Sequence, residues 1–255
     1  MSAVAGDDRA SSRQRSSGRM VLTQACAYLV VIAAMLACVF LDVPDILVGL
    51  VAAVILAIYV SCWPFMPSGP SGTVVERSVT TLLGAVSILA GLFAERVPAI
   101  EPPSLRLPAV TRAMDAANVA MHRWLALSVI LVVVLIVFGF ARQMAREHRT
   151  QLVVSLSYSL LSGAAAVALG GWVATAHYWH ILLAGWQQRG VGWLWLFVVG
   201  ACAVVLAVLL AVMSWRWWRE RDAAASACPW AGFATLPVMI AGVLPVLASV
   251  ALTFV

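Results

Sequence analysis

Of the 255 residues, 63% are hydrophobic and 11% charged, whereas soluble domains carry about 25% charged residues. A soluble core of this length cannot hide so much apolar surface, so the bilayer must act as solvent for most of the chain. The formal net charge of +5 comes from sixteen basic residues, all arginine. They lie in short clusters between apolar runs, which excludes a nucleic-acid-binding face, and the absence of lysine excludes Schiff-base chemistry and a P-loop.

Residues 1–20 are polar and hold Arg9, Arg13, Arg15 and Arg19 among serines. This composition predicts a disordered cytoplasmic tail. The apolar run 21–41 is too long for the core of a signal peptide and reads as a first membrane span. A tight turn at Asp42–Asp45 leads into a second span over 46–63. A Pro-, Gly- and Ser-rich loop follows, then a third span over 78–93. Gly84, Ser87 and Gly91 share one face of that span, as residues three or four apart do in a helix.

Residues 95–123 form the longest polar segment. Pro98, Pro102, Pro103 and Pro108 keep its first half extended. Its second half has helical periodicity, with Val110, Met114, Ala117 and Met121 on one face. That predicts an amphipathic helix at the outer interface or an extension of the next span.

The fourth span covers 124–141. Arg142, Arg146 and Arg149 then form a basic anchor before the fifth span, 152–176. The fifth span carries a small-residue stripe at Ser155, Ser159, Ser162, Ala166 and Gly170, the pattern that lets helices pack closely in a bilayer. An outer connection is expected over 177–190, a sixth span over 191–214 and a last span over 231–255, the last bearing Pro237 and Pro245. The whole reads as an all-α, polytopic membrane bundle of about seven transmembrane helices, forming a single domain after residue 20.

Arginine bias sets the expected orientation. With the tail inside, eleven arginines fall on the inner side and five on the outer, against six inner and five outer acids. The N-terminus is therefore expected inside and the C-terminus outside. Trp63, Trp124, Trp172, Trp179, Trp215, Trp217 and Trp218, with Arg216 and Arg219, sit near span ends and read as interface anchors.

Chemistry is sparse. His177 and His180 are three residues apart, and His122 is expected at the same outer depth. Three histidines at one level are candidate metal or haem ligands. The more ordinary role is that of rim residues among aromatics. The five cysteines contain no C-x-x-C pair, so neither a metal site nor a disulfide framework is expected. No charge is expected deep in a span, and the catalytic motifs H-E-x-x-H and G-x-S-x-G are absent. No cofactor is implied. The expected partners are the lipid bilayer and other membrane proteins. The residues favour a non-catalytic binding or assembly subunit in a bacterial inner membrane. A permease-type subunit for an apolar or amphipathic solute, argued from the prolines of the last span and the serine-rich fifth span, is the alternative. A redox or metal protein using the outer histidines comes after both.

Overall fold

The computed structural model describes residues 2–41, 44–65, 70–93, 112–145, 152–188, 193–220 and 228–252. These form eight helical segments: α1 (Ser2–Phe40), α2 (Ile46–Ser61), α3 (Pro70–Leu92), α4 (Arg112–Met144), α5 (Leu152–Gln188), α6 (Trp193–Glu220), α7 (Pro229–Ala241) and α8 (Val243–Leu252). The last two are halves of one broken rod. Six helical stretches are long and apolar enough to cross a membrane: Gly18–Cys38, Val74–Leu92, Met121–Arg142, Leu156–His177, Phe197–Trp218 and Pro229–Ala251. The chain is a multi-pass membrane protein built from helices, the form in which a spanning segment satisfies its own backbone polar groups.

Two helix ends differ from the sequence expectation. The segment read as a disordered tail is helical from Ser2. Nucleating a helix is costly but extending one is not, and residues 2–20 contain no proline to stop propagation from the first span. The 177–190 connection is helical to Gln188, because no proline interrupts α5. At the start of α4, Arg112–Arg123 is continuous with the fourth span, the second of the two readings its periodicity allows. The rest of the polar segment, 94–111, lies outside the described residues.

α5 is the central rod. It packs most extensively on α3, then on α4, and also touches α2, α7 and α8. More than half of the Leu156–His177 stretch is buried, whereas in Phe197–Trp218 of α6 only Ser214 is. A second buried rod, α7, carries an unbroken run of buried residues from Ala231 to Met239 and joins α1, α2, α5 and α6.

The prolines of the last rod leave carbonyls to be satisfied. Pro237 has no N–H, so the Phe233 carbonyl one turn earlier loses its intrahelical donor. Ser214 of α6 takes its place, its hydroxyl donating to Phe233 O at 2.5 Å. At the break, the Gly242 N–H bonds to Met239 O at 3.1 Å instead of continuing the α-helical ladder to Val238. The Val238 carbonyl instead accepts the Trp172 indole N–H at 2.9 Å. Both carbonyls are thus satisfied by side chains from neighbouring helices.

Candidate functional site

The small residues of α3 and α5 meet along a seam. A methyl group placed on Gly84 would lie 3.4 Å from Ala166 Cβ and 2.7 Å from Leu56 Cδ2. On Gly91 it would meet Gly170 O at 2.9 Å and Ala174 N at 3.0 Å. Between them, the Ser87 hydroxyl donates to Val167 O at 2.6 Å, and Ser87 O accepts the Trp124 indole N–H at 3.3 Å. Ser87 therefore ties α3 to both α5 and α4. Ser162 is fully buried; it accepts from the Thr80 hydroxyl at 3.4 Å and donates to Ser159 O at 3.1 Å. The side chain of Ser155 lies outside the described residues.

Next to Gly170, about 100° further round the helix, Gly171 meets a different neighbour. A methyl group there would run into the Gly242 carbonyl, and one on Gly242 would run into Ala168 O. Bare backbone thus meets backbone on both flanks of α5 at one level. The i, i+4 stripe reveals only the α3 flank, because the α7–α8 break that meets Gly171 lies about 70 residues further on in sequence.

The described residues contain one charged pair inside the α3–α4–α5 packing. Glu76, near the start of the third span, is buried to 7% exposure, and Arg142 Nη1 lies 3.3 Å from its Oε1. Both residues lie at span ends, two residues into Val74–Leu92 and at the last residue of Met121–Arg142. Sequence position places Glu76 in a loop and Arg142 in a solvated anchor cluster, yet their helices pack and bring them together. Beside the pair is a cavity of about 20 Å³, bounded by Thr80, Gly139 and Ser159 among others. That is room for a single water molecule with polar partners, not for a solute.

At the other end of the bundle, His177 Nδ1 lies 2.6 Å from Asp45 Oδ2, joining α5 to the start of α2. His122 is exposed on α4, two residues before the buried Trp124. Two residues along a helix is roughly 200° of rotation, so His122 faces away from the side Trp124 presents to the core. The side chain of His180 lies outside the described residues. Among the described residues no three His, Cys, Asp or Glu side chains are placed to share a metal ion.

The tryptophans divide. Trp63 and Trp124 are almost completely buried among the helices. Trp63 follows Ala52, Leu56 and Tyr59 on the buried face of α2, a helical spacing that could have placed it. Its ring lies 5.6 Å from Tyr59 and 5.8 Å from Phe65, within a cluster reaching Tyr158, Phe233 and Trp218. Trp172 is a half-buried hydrogen-bond donor, Trp179 and Trp215 are half-buried, and Trp217 and Arg216 are exposed. The side chain of Arg219 lies outside the described residues. Cys26, Cys38, Cys62, Cys202 and Cys228 are free thiols.

Comparison with protein-family models, curated proteins and solved structures finds no match.

Proposed function

We propose that this chain is a non-catalytic binding or assembly subunit of a membrane complex. It crosses a bacterial inner membrane seven times, with its N-terminus in the cytoplasm and its C-terminus outside. The orientation rests on the eleven-to-five arginine split. The seventh crossing is α2. Its 16 residues make a rod of about 24 Å, shorter than a hydrocarbon core of about 30 Å. One face of it packs on α1, α3, α5 and α7, while Ile46, Leu50, Val54 and Ile58 are exposed along the other.

The observation that carries the functional reading is α6. Ser214 and a narrow strip fasten it to the bundle, while Val205, Leu206, Leu209 and Met213 project outward, each about half exposed. A span so little used for internal packing is free for lateral contact with another membrane protein. Among the described residues the interior offers less. The α3–α5 seam is closed by glycine and serine contacts, and the polar cavity at Glu76 holds no more than a water. That favours an associating subunit over a permease.

A photo-reactive amino acid at Val205 or Leu209, activated in native membranes, is expected to give a discrete protein adduct. The same probe at the buried Leu169 should give only internal cross-links. Lipid adducts alone at both α6 positions would contradict the proposal.

A further inference from the structure

Cys62 and Cys228 are far apart in the sequence but meet at one end of the bundle. Cys62 caps the C-terminus of α2, its N–H donating to Ile58 O at 2.8 Å, and Cys228 caps the N-terminus of α7. Gly232 makes the contact between the two ends. A methyl group on it would run into the Cys62 carbonyl, so the end of α2 lies directly on this face of α7. Cys228 comes four residues before Gly232 and shares that face. The step between them is one turn, about 5.4 Å, comparable with the Cα separation of about 4.4–6.8 Å that a disulfide bridges. The thiols are also near enough that Cys62 feels the charge of Cys228, and that of Arg77 on α3.

Both residues are free thiols, and the Cys228 side chain makes no capping bond to α7. Both are partly exposed, as are Arg77 and Trp230. Tryptophan with arginine marks headgroup depth in a bilayer. The other three thiols are placed differently. Cys26 and Cys202 lie within the spans Gly18–Cys38 and Phe197–Trp218. Cys38 is buried at the opposite end of α2, where its thiol donates to Pro44 O at 3.8 Å. A thiol must ionise to react. Water at headgroup depth permits that, and a hydrocarbon surrounding opposes it.

We propose that Cys62 and Cys228 are a peroxide-sensitive pair that closes into a reversible disulfide, tying the end of α2 to the start of α7. One thiolate attacks the peroxide O–O bond, becomes a sulfenic acid and releases hydroxide. The second thiolate attacks that sulfur, forms the S–S bond and releases a second hydroxide. The two thiols give up two electrons to one peroxide, and their protons leave with the hydroxides as water. A dithiol reductant reverses the step. On the proposed orientation this end of the bundle is cytoplasmic, where thiols are kept reduced, so the resting form is the dithiol.

The test is titration of the reduced full chain, in mild detergent, with hydrogen peroxide, followed by maleimide capping and peptide mass mapping. A linked Cys62–Cys228 peptide is expected, from a chain two hydrogens lighter, and dithiothreitol should restore both thiols. Cys62→Ser and Cys228→Ser should each abolish the link. The decisive readout is on the parent chain and does not depend on how a variant folds. Sulfinic acid at Cys62 and Cys228 without a link, no reaction at either, or links through Cys26, Cys38 or Cys202 instead, would overturn the proposal. Chemistry in detergent is independent of orientation, so a second arm tests the resting form. In cells capped with N-ethylmaleimide before lysis both thiols should be free, and a prior peroxide pulse should link them. A link already complete without peroxide would overturn the switch and point to a structural disulfide outside the cytoplasm.

Discussion

Gly170→Ala and Gly171→Ala should each destabilise the protein in detergent by about 1–3 kcal/mol, with Leu at either position costing more. The reason is what the added atoms meet. At Gly170 they meet the Ser87 hydroxyl and backbone, and at Gly171 the Gly242 carbonyl. A flexible side chain could swing away, but backbone moves only if a whole helix moves. Gly200 is the internal control. Nothing lies within 4 Å of a methyl group there, and replacing an exposed helical glycine by alanine gains up to about 1 kcal/mol. Thermal or denaturant unfolding should therefore separate the three alanine variants by sign as well as size. Equal behaviour would mean that α5 is not clamped on both flanks.

Arg142→Ala should be at least as damaging, by about 3 kcal/mol or more, because it leaves the Glu76 carboxylate buried without its guanidinium. Some of that penalty escapes through the partly exposed arginine, whose side chain is 19% accessible. The double replacement Glu76→Leu with Arg142→Met removes both charges and should return close to the parent, as buried ion pairs often do when exchanged for packed apolar groups. Unfolding free energies of the single and double variants check this. A double variant as weak as Arg142→Ala would show that the pair stabilises the bundle beyond cancelling its own burial.

The spans were legible because hydropathy is a local property: each apolar run needs only itself to announce a membrane helix. Gly84, Ser87, Gly91, Ser162, Ala166 and Gly170 could be named from spacing alone, since close packing needs small residues on one face. What could not be read depends on partners far along the chain. Glu76 and Arg142 are 66 residues apart, and each alone looks like an ordinary rim charge. Gly171 acquires its role only when the α7–α8 break lies against it. His177 looked like one of three histidines at a common depth, and Asp45, which it reaches, looked like a turn residue. Helix ends fail for another reason: in 2–20 and 177–188 the choice between helix and coil rests on propagation from an existing span, which hydropathy does not report.

The most direct test of the seven-crossing account is a pair of reporters. One fluoresces only in the cytoplasm and the other is a phosphatase active only outside it, each fused in turn before Met1 and after Val255. The account predicts fluorescence at the N-terminal fusion and phosphatase activity at the C-terminal one. Fluorescence at both termini would contradict it: α2 would then fail to cross, leaving six spans and both ends on one side.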